Sequence, residues 1–349
     1  MTDTEQAMLA DLVSDLVKNH PPFVLSADRS WDSAFWTDLA MTGLTSVGDD
    51  DTHTSVPTAV NVIAGLARGA AAVPFAEHVL VARPILAAAG LGPPPADEVT
   101  TFAMGELRAR PGQGDTWLLS GHAGSPWLSV AAHTVLVAAT GDGAVLGLAS
   151  PADLDVRTGV NVAGEPRDVV IADDVPVRGV PVPDELVRDL RDRYALARAA
   201  QLFGGLHEIL LLSLRYAQER QQFGRNIGRF QAIQFMVAEI AEEVALVAAS
   251  VKAAANAVAA ARPEAAALVA ASKVNAGAAV GPVARNAHQV HGAIGFTQEH
   301  GLHHLTRRCW SWRDEAGVEL THARALSLAL VSGAEPGAFW ANLTGTTGP

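Results

Sequence analysis

Apolar positions along the chain follow a helical period at both ends and a strand-like pattern in the middle. Near the start, Trp36, Leu39, Ala40 and Leu44 fall at helical spacing, with Gly43 where that turn should stop. After the acidic run Asp49-Asp50-Asp51 come two helical stretches rich in small residues, Val60 to Ala72 and Ala76 to Ala89. Pro84 is expected to kink or divide the second. The three aspartates read as a solvated connector, because no glutamate or glycine completes a calcium loop.

The character changes near Gly92, where Pro93-Pro94-Pro95 punctuates the chain. From Thr100 to Pro183 short apolar runs alternate with glycine, proline and aspartate turns: Trp117 to Gly121, Thr134 to Ala139, Val156 to Val160 and Val169 to Ile171. This is the signature of a small β domain. Helical periodicity then returns over Leu186 to Gln218, Phe230 to Ala259, Glu264 to Gln289, Leu302 to Trp312 and Glu319 to Leu330. Pro263 suits a helix start, and Pro282 is expected to kink or divide the third of these helices. The expected class is α+β, mostly α: an N-terminal helical domain over 1–99, a middle β domain over 100–183 and a C-terminal helical bundle over 184–349.

Composition narrows the function classes. Hydrophobic residues make up 49% of the 349, chiefly alanine, leucine and valine, which favours closely packed helices. Lys+Arg is 25 against Asp+Glu 37, a net charge of −12, so the chain lacks the electrostatic footprint of a nucleic-acid binder. Cys309, the single cysteine, cannot pair internally. The start Met1-Thr2-Asp3-Thr4-Glu5 has no signal-peptide character, and apolar runs of spanning length are interrupted by charge or proline. A cytoplasmic protein without a membrane span is expected.

The candidate chemistry lies in the last third. Arg220-Gln221-Gln222-Phe223-Gly224 is followed by Phe230-Gln231 and later by Gln289-Val290-His291-Gly292-Ala293-Ile294-Gly295-Phe296. An arginine beside a glycine turn can hold a pyrophosphate through charge-assisted hydrogen bonds. An aromatic ring can pack on a flavin or adenine, and a small-residue turn lets backbone amides approach closely. In this order, on consecutive helices, these residues resemble the carboxy-terminal bundle of the acyl-CoA dehydrogenase family of flavoenzymes. The resemblance implies that Arg220, Phe223, Gln231, Gln289 and Gly292 contact FAD, reaching across a subunit interface to its adenine and pyrophosphate half. It further implies an acyl-CoA substrate, a homo- or hetero-oligomer, and an electron-transfer flavoprotein or similar acceptor. Ala293 stands where a second glycine is common.

Other parts of the family pattern are missing. Met104 to Gly112 and Ser125 to Ser129 do not carry the threonine-rich flavin loop, and Glu106 and Trp127 read as ordinary turn and core residues rather than its remnants. Dehydrogenation also needs a carboxylate to take the proton α to the thioester. Counting from Gly295-Phe296 places the family's Glu-Gly-Thr turn on Ala316-Gly317-Val318. The base position is therefore alanine, with Glu315 adjacent. The alternative family position falls on Tyr194, with Ala195 in place of an arginine. The motifs retained act across an interface, and those lost act within a chain's own site. This resembles the degenerate subunit of heteromeric acyl-CoA dehydrogenases of actinobacteria, which act on steroid side-chain CoA esters.

The competing readings are a self-sufficient homomer using Glu315, a flavin-dependent monooxygenase of the same fold, and a non-enzymatic helical scaffold. His288, His291, His300, His303 and His304 cluster in sequence but read as solvated helix-end residues, since Arg307-Arg308 next door would repel a metal. Trp310 and Trp312 are expected at an interface or in the core. No nucleophile elbow surrounds Ser125, and no G-x-G-x-x-G follows a strand.

Overall fold

The computed structural model describes residues 3–20, 31–47, 49, 55–297 and 299–331. The chain divides into two compact units, one of Met1–Asp51 with Gly69–Ala197, the other of Thr52–Arg68 with Arg198–Pro349.

In the first unit, α1 (Asp3–Asn19) is followed by α2 (Ser33–Met41). The α2 helix begins where the Asp32 side chain accepts the Phe35 N–H at 3.0 Å, which satisfies one of the unpaired donors of its first turn. The face it buries carries Phe35, Trp36 and Leu39. The next helix, α3 (Ser55–Arg68), belongs to the second unit. A π-helix over Glu77–Ala82 then runs directly into α4 (Arg83–Ala88), with Pro84 in the first turn of α4. Proline has no N–H to donate, and its ring crowds the carbonyl four residues back. The wider π turn just upstream is how this helix accommodates it. Asp49 is not a solvated connector residue: it takes a bidentate pair from buried Arg83, both contacts at 2.6 Å. Asp50 and Asp51 lie outside the described residues.

The middle segment forms β1 (Thr100–Pro111), β2 (Thr116–Pro126), β3 (His133–Ala139), β4 (Ala144–Ala149), β5 (Asp155–Arg157) and β6 (Arg167–Val182). Their order is β2-β1-β3-β4-β6-β5, and β2 also pairs with β6, so the sheet closes on itself. The β1–β3 pair is parallel, and the other ladders are antiparallel. Closure removes most open edges and leaves a small apolar interior, built from Ala103, Leu107, Leu119, Ala123, Leu136 and Val170.

The long α5 (Asp184–Glu219) starts in the first unit and ends in the second. There it is joined by the short hairpin β7 (Gln221–Gln222) and β8 (Arg225–Asn226), then α6 (Gln231–Ala259), α7 (Ala265–His291), α8 (Leu302–Asp314) and α9 (Glu319–Val331). A Cβ on Gly204 would fall 2.1 Å from the Ala64 carbonyl oxygen, so glycine is what lets α5 and α3 approach this closely. Likewise, a Cβ on Gly205 would meet the sulfur of buried Cys309 at 2.8 Å. Burial pushes that thiol up to about 12, so it is an inert packing group. Of the two outcomes expected at Pro282, a kink or a division, α7 is not divided there. The stretches Asp184–Glu219 and Ala265–Phe296 are long and apolar enough to cross a membrane by composition, yet 67% and 50% of their most apolar windows are buried inside the protein. Their apolarity has a packing explanation.

Candidate functional site

The stretch after α5 folds into a two-residue hairpin, with Gln221 paired to Asn226 and Gln222 to Arg225. Its loop, Phe223-Gly224, has φ of 51° and 76°. Two successive left-handed residues make the loop that fits the twist of a tight hairpin, and Asn-Gly is its preferred sequence. Here the first position is phenylalanine, a bulky residue in a conformation it rarely adopts. Phe223 is 91% exposed, so no core packing explains it. Its ring meets Phe230 edge to face at 6.1 Å, and the Arg225 guanidinium lies 4.3 Å from the centre of the Phe230 ring. Phe230 caps the start of α6, which puts Gln231 at the helix's first position, exposed. The Arg220 N–H still bonds back to Tyr216 at 2.9 Å, and the Arg220 side chain is exposed.

A ring stack joins this segment to the second motif. Tyr216 packs on His291 at 4.8 Å with an interplanar angle of 26°. Tyr216 is one helical turn before Arg220, and His291 immediately precedes Gly292, so the stack ties the end of α5 to the end of α7. Gly292 has φ 62° and ψ −143°, a region essentially restricted to glycine. A Cβ there would meet nothing within 4 Å. Its backbone, with that of exposed Ala293, is open for close approach, and Gln289 is exposed one turn earlier. A strained exposed aromatic, unpaired arginines and a bare glycine backbone fit the adenine and diphosphate half of a flavin dinucleotide.

The histidines are not solvated helix ends. His291 is buried, its ring 4.7 Å from His300, while His288 stacks on Phe296 at 4.4 Å and the tilted rings of His303 and His304 lie 4.0 Å apart. The chain folds back after α7, so the start of α8 covers the end of α7. Burial pushes the imidazoles of His288, His291, His300 and His304 down, and neighbouring His or Arg cations push them further. His304 is brought down to about 4. Trp312 is in the core, whereas half-buried Trp310 has the Arg313 guanidinium over its ring at 4.6 Å.

At the turn after α8, Glu315 accepts from Arg198 Nε at 2.7 Å. Arg198 is fully buried on α5 and also donates to Gln201 at 2.5 Å. Lys273, buried on α7, donates to the carbonyls of Arg313 at 2.6 Å and Gly317 at 3.0 Å. Burial lowers its ammonium to about 8. His322 Nε2 bonds the Ala316 carbonyl at 2.8 Å. Three helices, α5, α7 and α9, therefore hold the segment 313–317, in which Ala316 has φ 56° and Gly317 φ 92°. A carboxylate engaged with a buried guanidinium is held for structure; a general base needs its carboxylate turned to the substrate.

Among the remaining candidates, Tyr194, Ala195 and Trp127 have packing roles. Tyr194 meets Phe102 edge-on at 4.9 Å, and Ala195 is fully buried. Burial, with Asp189 nearby, pushes the Asp192 carboxyl up to about 6. It lies two residues before Tyr194, about 200° around the helix, so it does not stand in for the base there. Trp127 is buried, and the Glu106 side chain is 85% exposed. Ser125 donates to the Phe102 carbonyl at 2.8 Å.

Residues 192–327 match the family profile described as acyl-CoA dehydrogenase, C-terminal domain. That part of the chain is similar to the C-terminal domain of acyl-CoA dehydrogenases. A curated relative, acyl-CoA dehydrogenase IpdE2 of Mycobacterium tuberculosis (strain ATCC 25618 / H37Rv), is 29% identical over 119 residues, 34% of this chain and 36% of the relative. The match thus spans about a third of the curated relative's length. The fold likeness is far more extensive. The ChsE4-ChsE5 complex of Mycobacterium tuberculosis superposes with a TM-score of 0.85 at 24% identity, covering 96% of this chain and 99% of that one. A variant of the Tcur3481-Tcur3483 steroid ACAD gives 0.84 at 22% identity, covering 95% and 99%. The chain therefore has the fold of these acyl-CoA dehydrogenase structures, α+β and mostly α, as its sequence indicates.

Proposed function

We propose that this chain takes part in FAD-dependent α,β-dehydrogenation of an acyl-CoA thioester as the base-lacking subunit of a heteromeric assembly. FAD, when bound, would supply the hydride acceptor for the β carbon, and a carboxylate would take the α proton. The observation that carries the reading is the turn after α8. Its base position is Ala316, and the adjacent Glu315 is tied to buried Arg198. The residues suited to a dinucleotide are exposed instead: Arg220, Phe223, Gln231, Gln289 and Gly292. Arg220 would donate to the diphosphate, Phe223 would pack on a planar ring, and the Gly292 backbone would let the dinucleotide come close. This chain's part is to hold cofactor and subunits in place; the partner supplies the carboxylate.

Exposed Phe235 and Leu246 on α6, with Leu320 and Leu328 on α9, leave apolar surface for subunit contact. The fold neighbour ChsE4-ChsE5 is a complex of two differently named chains, and Tcur3481-Tcur3483 is a steroid ACAD. The paired names support a heteromer, and the second supports a steroid substrate class; the proposed assembly acts on steroid side-chain CoA esters in the cytoplasm and is reoxidised by an electron-transfer flavoprotein or similar acceptor. The test is flavin content and its bleaching. Purified alone, the chain should hold little FAD. Co-expressed with the matching subunit, it should give a yellow complex whose flavin absorbance bleaches on adding the acyl-CoA. A complex that never acquires flavin contradicts the reading.

A further inference from the structure

The hairpin after α5 carries more chemistry than the assigned contacts use. Between Ile209 and Ala238 the chain has four arginines, Arg215, Arg220, Arg225 and Arg229, and one acid, Glu219. The segment is cationic inside a chain whose net charge is −12. Arg220, Arg225 and Arg229 are exposed, and none forms an ion pair with a described residue. Unpaired cations on an acidic protein form a local site for an anion.

Arg225 stands apart because it is pre-positioned. Gln222 and Arg225 are the pair that flanks the loop, and the guanidinium of Arg225 sits 4.3 Å from the centre of the Phe230 ring. Stacking engages the flat face of a guanidinium and leaves its edge, the fork of N–H donors, free to bind. Phe230 is itself braced edge-on by Phe223 and fixed as the residue before α6. The result is a donor fork on a short hairpin, next to an exposed ring held at positive φ. Such a surface suits a ligand that joins a planar base to a diphosphate.

We propose that Arg225 is a second cationic contact to the same dinucleotide as Arg220, donating the edge of its guanidinium to the diphosphate while its face rests on Phe230. The proposal rests on the cofactor reading above and adds a residue to it. Because the fork is already oriented, binding costs less ordering of the side chain than a free arginine would require.

The test is FAD affinity of the flavin-holding assembly, stripped and reconstituted at several salt concentrations, for wild type, Arg225→Ala, Arg225→Lys and Arg220→Ala. Melting curves check that each variant folds. Arg225→Ala should weaken FAD about five- to twentyfold and flatten the salt dependence. Arg225→Lys, with its charge but no planar fork, should fall in between. If Arg225→Ala holds FAD like wild type while Arg220→Ala releases it, the Arg225 contact is wrong and the cofactor reading stands. If neither releases it, or the wild-type assembly holds no FAD, both fall. If Arg225→Lys matches wild type, the stacked fork is wrong. Loss of subunit association with unchanged FAD affinity would overturn the proposal and assign Arg225 to an acidic protein surface.

Discussion

Arg198 and Glu315, separated by 117 positions, meet at 2.7 Å, the guanidinium fully buried and the carboxylate 16% exposed. The pair joins α5 to the turn after α8 and fixes the one carboxylate adjacent to the expected base position. Breaking a buried pair from one side leaves a charge without its partner in a low-dielectric setting, at a cost of about 3–5 kcal/mol. Arg198→Ala should therefore lower the stability of the chain by that amount. Replacing both partners with methionine should recover most of the loss. Chemical denaturation of the two single variants and the double variant measures this; a double variant as unstable as the sum of the singles would contradict a structural pair.

Arg220 should behave differently. It is exposed and forms no ion pair with a described residue, so Arg220→Ala should leave the melting temperature nearly unchanged. Loss of a charge-assisted contact of about 1.5–3 kcal/mol should weaken FAD retention roughly ten- to a hundredfold. Flavin absorbance after gel filtration reads it out. Wild-type retention in the variant would remove Arg220 from the site.

Phe223 carries a conflict between folding and binding. At φ 51° in a two-residue hairpin loop, asparagine is the favoured residue and phenylalanine is strained. Phe223→Asn should raise stability by about 1 kcal/mol and weaken FAD binding. A variant both less stable and equally good at holding FAD would show that the ring serves packing alone.

Acid should destabilise the protein through its buried imidazoles. Burial lowers His78 to about 3, with Arg83 adding repulsion, and His304 to about 4. Their folded values lie below the unfolded value near 6.5, so the unfolded chain binds more protons between these limits. The stability they contribute is complete above about pH 6.5 and falls as pH drops toward 4. His78, which is fully buried, accounts for ~2 kcal/mol between pH 6.5 and 5. The Asp192 carboxyl, pushed up to about 6, opposes this with the reverse sign. Denaturation midpoints at pH 7.5 and 5 for wild type and His78→Gln test the slope; an unchanged slope in the variant would contradict it.

How much was legible in the sequence depended on the range of each interaction. The hairpin at Phe223-Gly224 and the start of α6 are fixed by neighbours a few residues away, and their motif could be read directly. The same holds for the small β domain, whose glycine and proline turns punctuate short apolar runs. The Arg198–Glu315 pair was not legible, because nothing near Ala316 announces a partner on α5. The histidines read as solvated because helix-end position is a local signal, whereas their burial comes from α8 folding over α7. Pro84 gave a correct warning of irregularity without revealing the π turn that accommodates it. Arg225 carries no signal of its own in the sequence, because cation–π stacking on Phe230 has no signature there beyond spacing.

The central claim is that this chain does not supply its own base, and activity with and without the matching subunit tests it most directly. Acyl-CoA dehydrogenation should be absent from the isolated chain, since removal of a general base costs about 10²–10⁴ in rate. The complex should be active, and Glu315→Gln should change that activity by less than a few-fold. An isolated, flavin-loaded homomer that oxidises an acyl-CoA, and loses that activity on Glu315→Gln, would contradict the account and make Glu315 the base.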